Sequence, residues 1–175
     1  MNRAPGIVML TLSMVFIFFA AGCGRKQPES TELRRYPLDG IADVITQTGV
    51  EFDSSATSDG KGSLKIVAAG PVNIPLFETG DINVEDAVIV YQAMVRTEGV
   101  EGKVYLEMWS SFGTKGEYFS RGLDAAITGS KDWTALKTPF FLRAGENPDN
   151  VKLNLVIDGK GTVWIDDIRL LKERM

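Results

Sequence analysis

Apolar and polar residues alternate along much of this chain, in short runs separated by clusters of turn-forming residues. In the clearest run, residues 151–158, Val151, Leu153, Leu155 and Ile157 occupy every second position. Such alternation predicts a β-strand with one buried face. Similar runs cover residues 63–67, 103–109 and 162–171. No stretch has sustained helical periodicity, so the pattern predicts an all-β protein, an antiparallel β-sandwich.

The glycine and proline positions suggest how these strands connect. Residues 87–95 are almost continuously apolar, as expected of a central strand covered on both faces. Residues 98–102 contain two glycines and predict a turn that returns the chain as an antiparallel hairpin, and residues 159–161 predict another turn. Pro75 predicts an edge or irregular strand around it, because proline cannot donate a hydrogen bond to a sheet. Residues 36–52 predict a short helical turn followed by a strand.

The amino-terminal residues have the pattern of an export signal. Arg3 is the only charged side chain among residues 1–22, and residues 7–21 are apolar except for Thr11 and Ser13. A basic start, a short apolar region and small residues before a cleavage point are typical of a secretory signal. The run is shorter than the roughly 18 apolar residues of a spanning helix.

The end of this segment, Phe19-Ala20-Ala21-Gly22-Cys23, resembles the lipobox of bacterial lipoproteins. The resemblance implies that residues 1–22 are removed and that Cys23, the only cysteine, carries diacylglycerol and often an amino-terminal palmitate as well. Residues 24–35 are polar and predict a flexible tether, so the β-sandwich domain is expected at residues 36–175. Because position 24 is glycine rather than aspartate, the resemblance favours the outer membrane, if the organism has one, over the inner membrane. The alternative is an ordinary cleaved signal followed by a stray cysteine.

The composition narrows the possible functions of the exported part. Without residues 1–22 the chain has 18 cationic and 23 acidic side chains, a formal charge of −5. This balance argues against binding to nucleic acid, which depends on cationic groups that neutralise phosphates. The chain has no histidine, the usual general base and metal ligand near neutral pH, and a lipidated Cys23 leaves no free thiol.

Two short motifs resemble the galactose-binding-like jelly rolls. Residues 59–66, Asp-Gly-Lys-Gly-Ser-Leu-Lys-Ile, are similar to an early strand of that group, and residues 161–170, Gly-Thr-Val-Trp-Ile-Asp-Asp-Ile-Arg-Leu, are similar to its closing strand. The Asp132-Trp133-Thr134 sequence is also typical. The likeness is strongest to the carbohydrate-binding modules of the group, and it implies a β-sandwich of jelly-roll type.

The resemblance also implies candidate cation ligands. Many such modules hold a structural calcium ion with oxygens of the closing-strand aspartates and of early strands. Here Asp166 or Asp167 would serve, with Glu51 or Asp53 as partner, and calcium needs about six to eight oxygen ligands. The alternative is that one aspartate packs at a β-bulge while its neighbour faces solvent. No other cofactor is expected.

Modules of this group bind sugars on aromatic side chains flanked by amide, carboxylate or arginine groups. Along residues 103–109, one strand face carries Tyr105, Glu107 and Trp109, and the opposite face carries aliphatic residues. Tyr118, Arg121 and Asn154 on other predicted strands would supplement this platform. The alternative is that Tyr105 and the three tryptophans, Trp109, Trp133 and Trp164, fill the core.

The sequence thus predicts a non-catalytic, carbohydrate-binding lipoprotein of the cell envelope. A second hypothesis is a structural or assembly lipoprotein that docks on another envelope protein through loops or an edge strand. An enzyme is not expected: there is no serine-hydrolase elbow and no phosphate-binding loop. A glycosidase-like pair of Glu107 and Glu117 is the one hydrolytic arrangement that the acids suggest.

Overall fold

The computed structural model describes residues 30–175, of which most lie in eight β-strands. The strands are β1 (Ser30–Tyr36), β2 (Val50–Asp53), β3 (Ser63–Ala68), β4 (Val72–Gly80), β5 (Ala87–Ser111), β6 (Glu117–Arg121), β7 (Ile127–Leu142) and β8 (Asn150–Glu173). Within these residues the helical structure is limited to two 3-10 turns, Gly113–Lys115 and Leu123–Ala125. No helix in this part of the chain is long and apolar enough to cross a membrane. The signal segment, Cys23 and residues 24–29 lie outside the described residues.

Two long antiparallel strands, β5 and β8, run through the whole domain. Because of them, the connections between strands differ from those predicted. Residues 98–102 and 159–161 were expected to be turns, but both glycine-containing stretches are bends within continuous strands. Gly102 and Gly159 are opposite each other in the register. A Cβ on Gly159 would lie 1.8 Å from the carbonyl oxygen of Glu101, so only glycine allows the two backbones to approach this closely. The predicted hairpin between residues 87–95 and 103–109 is therefore wrong, and each of these segments pairs with its own half of β8 instead.

The two bends divide the domain into two layers. In the first sheet, the first half of β5 and the second half of β8 pair with each other, with β7 beside β5, and with β1 and β3 beside β8. In the second sheet, the other halves of β5 and β8 pair with each other, with β6 beside β5 and β4 beside β8. Aliphatic side chains from both halves, such as Ile89 and Leu106, belong to one buried cluster. The predicted antiparallel β-sandwich of jelly-roll type is confirmed.

Several local predictions can be compared with the strands directly. Strand β4 pairs only with β8, and its register shifts after Pro75, as expected of an irregular edge strand. The expected helical turn before β2 is one hydrogen-bonded turn, from Val44 N–H to the Ile41 carbonyl oxygen. Residues 30–35 were assigned to the tether, but they lie in β1 and pair with the end of β8. Their polar composition misled the assignment, because β1 is held mainly by backbone hydrogen bonds and buries little apolar surface.

Candidate functional site: an aromatic face on the second sheet

The outer surface of the second sheet carries the candidate site. Along the second half of β5, Val104, Leu106 and Met108 belong to the core, and the side chains between them point outward, as the alternation predicts. The neighbouring strands add residues at matching positions. We call this surface the Trp109 face and define it by Asn73, Glu107, Trp109, Phe119, Arg121 and Asn154.

A tight hairpin aligns β6 with β5. The Phe112 N–H donates to the Gly116 carbonyl oxygen over 2.9 Å, and Gly116 has a positive φ of 91° that favours glycine. This turn places Phe119 opposite Trp109, and Arg121 opposite Glu107.

The Glu107 carboxylate lies at the centre of the Trp109 face and is 1% exposed. Its Oε1 accepts hydrogen bonds from Asn73 Nδ2 and Trp109 Nε1, both at 2.8 Å, and from Asn154 Nδ2 at 3.3 Å. Its Oε2 accepts from Arg121 Nε at 2.6 Å. Burial acts to raise the pKa of Glu107, but the hydrogen bonds from these four side chains outweigh it and hold the pKa below its ordinary value. Glu107 is therefore ionised at neutral pH and fixes the orientation of its four donors.

Above this network the rings form a short aromatic surface. The ring centroids of Trp109 and Phe119 are 5.0 Å apart with a tilt of 45°, and the Arg121 guanidinium lies 4.6 Å from the Phe119 centroid. Phe119 is 51% exposed. A partly exposed aromatic pair beside a fixed guanidinium offers an apolar plane edged by N–H donors.

Glu117 and Lys152 lie at the edge of this surface. Lys152 Nζ donates to Glu117 Oε1 over 2.8 Å, and Ser111 Oγ donates to the same oxygen over 2.6 Å. These two hydrogen bonds lower the pKa of Glu117, and the hydrogen bond that Lys152 donates to Glu117 raises the pKa of Lys152. Both acids of the suggested glycosidase pair thus have lowered pKa values, whereas a general acid requires a raised one.

The predicted ligand-binding residues are largely brought together. Glu107, Trp109, Arg121 and Asn154 share the hydrogen-bond network, and Tyr105 lies on the same strand face but is 9% exposed. Tyr118 is the exception, because residues 118 and 121 differ by an odd number and point to opposite sides of β6. Its ring packs edge-on against Phe112 at 5.9 Å, and its hydroxyl donates to the Lys115 carbonyl oxygen.

Two important members of the face were missed. Phe119 is two residues from Arg121 and therefore lies on the same face of the strand, so the strand period alone was enough to find it. Asn73 had no such signal, because its contact with Glu107 depends on β4 pairing with β8 across about eighty residues of chain.

The tryptophans do not fill the core. None of Tyr105, Trp109, Trp133 and Trp164 belongs to the buried cluster of the sandwich. Trp164 is 6% exposed, yet it lies on the outer side of the first sheet. There the Arg96 guanidinium covers its ring at 4.7 Å and its Nε1 donates to Asp53 Oδ2 over 2.9 Å.

The predicted cation ligands are not brought into one site. Asp167 has a positive φ of 45° at a β-bulge opposite Ala93, and salt bridges join its two oxygens to Arg35 and Arg169. Burial acts to raise the pKa of Asp167, but the hydrogen bonds from these two arginines dominate and lower it.

Asp166 is fully buried and accepts hydrogen bonds from the Ser58 N–H at 2.8 Å and from Ser58 Oγ at 2.7 Å. Asp53 accepts from Ser55 and Trp164, while Glu51 is exposed beside Lys65. Among residues 30–175 no three acidic side chains form a group that would hold a metal ion. Asp167 therefore sits at a bulge, as the alternative expected, with its two oxygens paired to guanidinium groups, but its neighbour Asp166 is buried rather than facing solvent. A calcium site stays a prediction.

Comparison with solved structures identifies the same fold in carbohydrate-binding modules. The CBM22-1 xylan-binding domain of Paenibacillus barcinonensis Xyn10C matches with a TM-score of 0.60 and 15% identity, over 85% of this chain and 99% of that one. The CBM22-1–GH10 modules of a Clostridium thermocellum xylanase, solved with xylohexaose, match with a TM-score of 0.62 and 12% identity, over 82% of this chain and 29% of that one.

The Stig cyclase Fisc from Fischerella sp. also matches, with a TM-score of 0.50 and 11% identity, over 81% of this chain and 84% of that one. The sequence matches no protein-family model and, at a significant level, no curated protein. At these identities the likeness shows the fold alone, and that fold occurs both in binding modules and in an enzyme.

Proposed function

We propose that this protein is a lipid-anchored envelope lipoprotein whose β-sandwich is a non-catalytic carbohydrate-binding module. The observation that carries the binding part is the Trp109–Phe119 pair, partly exposed on the outer side of the second sheet and edged by the Arg121 guanidinium. A pyranose ring has an apolar face and a rim of hydroxyl groups, which match an aromatic plane with polar groups beside it. The structural similarity to a xylan-binding domain and to xylanase modules solved with xylohexaose supports glycan as the ligand class.

The state of Glu107 supports binding rather than catalysis. All four of its hydrogen bonds come from side chains of the Trp109 face, and its lowered pKa keeps it ionised at neutral pH. A buried carboxylate that holds its neighbours in place has no proton to give to a leaving group. Glu107 thus positions the donors that a sugar would meet.

Strand β6 offers a matched test of the binding face. Phe119 and Tyr118 are adjacent, are 51% and 54% exposed, and point to opposite sides of the strand. We expect Phe119→Ala to weaken retention on a polysaccharide affinity gel by about 1–2 kcal/mol, roughly tenfold, as the loss of one stacking ring would. Tyr118→Ala should bind like the wild type. Equal binding by both variants to a polysaccharide that retains the wild type would refute the site.

The lipoprotein part rests on the lipobox that ends at Cys23. Two acyl chains suffice for stable anchoring, since each buried methylene contributes about 0.8 kcal/mol. The mass of the purified chain should equal that of residues 23–175 plus the acyl groups. A membrane-free protein with an unmodified Cys23 would refute this part and leave the glycan proposal standing.

The assembly alternative has one structural observation in its favour. Strand β2 pairs only with β3, so its other edge has no strand partner among residues 30–175, and Phe52 on it is 38% exposed. Stoichiometric co-purification of one envelope protein, lost when Phe52 is changed to Asp, would support this alternative over glycan binding.

A further inference from the structure

A second unusual surface lies on the outer side of the first sheet, at the end where the described chain begins. The register aligns Ser30, Glu173, Val88 and Phe141 in one row across four strands. The next row whose side chains point to the same side consists of Glu32, Leu171, Val90 and Pro139. The apolar members of these two rows, which we call the Phe141 patch, are Val88, Val90, Pro139, Phe141 and Leu171.

The Phe141 patch is not part of the core. None of its five residues belongs to the buried cluster of the sandwich. Phe141 is 65% exposed and Pro139 is exposed, whereas Val88 and Val90 lie beneath them at 7% and 4%. The exposed part of the patch is therefore Phe141 and Pro139, with Leu171 partly exposed. A phenylalanine ring directed to solvent on an outer sheet surface is a candidate interaction surface.

The entry point of the chain indicates what covers this patch. Six residues lie between Cys23 and Ser30, and the seven chain steps that join them span at most about 25 Å. Ser30 and Phe141 are in the same row, three strand spacings or about 14 Å apart. Val67 is opposite Thr162, eleven residues along β8 from Glu173, and therefore lies about 36 Å farther along the sheet. An anchor at Cys23 thus holds the Phe141 end of the sheet near the lipid.

The charges around the patch suit contact through apolar groups. Two acidic residues, Glu32 and Glu173, share its rows, and Glu32 lies 3.8 Å from Arg169. The next row on the same surface carries Arg35, Arg169 and Lys137, of which Arg35 and Arg169 pair with Asp167. Apolar contact is therefore the main driving force that the two rows of the patch offer. The patch is small, but a short tether raises the local concentration of lipid to the millimolar range, at which weak apolar contact is sufficient.

We propose that the Phe141 patch docks on the surface of the lipid bilayer to which Cys23 is anchored, an inference that rests on the lipoprotein part of the proposed function. The Phe141 ring enters the headgroup region. The Trp109 face lies on the outer side of the other sheet, so docking turns it away from the membrane, toward glycans in the aqueous phase. The device therefore orients the binding module as well as tethering it.

The lone cysteine makes a direct test possible. With the Cys23 thiol acylated, Phe141→Cys and the control Val67→Cys each introduce a single free thiol for a nitroxide label. Residues 141 and 67 are matched, being 65% and 66% exposed on the same sheet surface. The full-length lipoprotein is reconstituted in phosphatidylcholine vesicles, and collisions with oxygen and with an aqueous nickel complex are measured. Pro139→Cys provides a second position within the patch.

We expect the labels at positions 141 and 139 to lose collisions with nickel and gain collisions with oxygen on vesicles, while position 67 stays fully accessible to nickel. Equal aqueous accessibility at positions 141 and 67 in an acylated chain would overturn the docking inference alone. If the label at position 141 is shielded from nickel in the protein without vesicles, protein covers the patch. This result would also overturn the docking inference. An unmodified Cys23, seen by mass, would remove the anchor and overturn the lipoprotein proposal as well.

Discussion

Replacing Glu107 by Gln tests whether the buried carboxylate organises the Trp109 face. Three donors, from Asn73, Trp109 and Asn154, converge on Oε1, and Arg121 Nε donates to Oε2. A glutamine must keep its carbonyl oxygen toward the three donors, which directs its NH2 group at the arginine N–H. The charge-assisted hydrogen bond from Arg121 is therefore lost, and the glutamine NH2 group and the Arg121 N–H, both donors, face each other.

The expected cost follows from the strength of that bond. A hydrogen bond to a charged group contributes about 1.5–3 kcal/mol, so we expect Glu107→Gln to lower the free energy of unfolding by about 2 kcal/mol. For a domain of this size that corresponds to a fall in Tm of roughly 6 °C. Urea unfolding followed by circular dichroism at pH 7 measures it. Glu117→Gln is the matched control, because Glu117 lies at the edge of the same face and is exposed, and it should unfold like the wild type.

The same variant has a predicted pH signature. The folded-state pKa of Glu107 lies below its ordinary value of 4.5, so the folded protein binds fewer protons than the unfolded chain as the pH falls. The stability from Glu107 is complete above about pH 4.5 and is lost as the pH falls toward the folded-state pKa. The difference in the free energy of unfolding between the wild type and Glu107→Gln should therefore become smaller as the pH is lowered. A variant as stable as the wild type at pH 7, with the same acid profile, would refute the role given to Glu107.

Three further predictions concern the fold. Gly159→Ala should destabilise the domain by roughly 3 kcal/mol, because the close approach of β5 and β8 at this position leaves no room for a Cβ. Gly70→Ala is the control and should change the Tm little, because the space around Gly70 is open. Equal Tm values for the two variants would contradict this explanation of the bends. Ser58→Ala should lower the free energy of unfolding by about 2 kcal/mol, because the buried Asp166 loses its hydroxyl donor. Ser55→Ala, beside the partly exposed Asp53 carboxylate, should have a smaller effect in the same urea titration. Calcium or a chelator at millimolar concentration should leave the Tm unchanged, since protein donors occupy the closing-strand aspartates; a rise in Tm with calcium would restore the predicted cation site.

The features that were predictable from sequence are those encoded by local alternation. The two faces of residues 103–109 follow from a period of two, and a strand pattern in β8 predicted its buried face in the same way. Those two inferences were enough to place Glu107, Trp109 and Asn154 on strand faces, although not to show that they would meet.

The features that were missed depend on the partner strand. A glycine pair such as Gly102 and Gly159 has the same composition whether the chain turns back or two strands bend together, and only their pairing distinguishes the cases. The sequence left open whether Asp167 is a cation ligand or sits at a bulge, because the bulge arises from the register opposite Ala93, which the local sequence does not encode. Strand β1 was missed because its main contribution is backbone hydrogen bonding to β8.

The central claim, that Trp109 and Phe119 form a glycan-binding face, is tested most directly by nitrogen-15 NMR of the indole groups. The chain has three tryptophans, so the Trp109→Phe variant identifies the resonance of Trp109. When a polysaccharide that the wild type retains is titrated in, we predict that the Trp109 indole signal shifts or broadens while that of Trp164, on the opposite sheet, stays in place. An unchanged Trp109 signal during demonstrable binding would contradict the account.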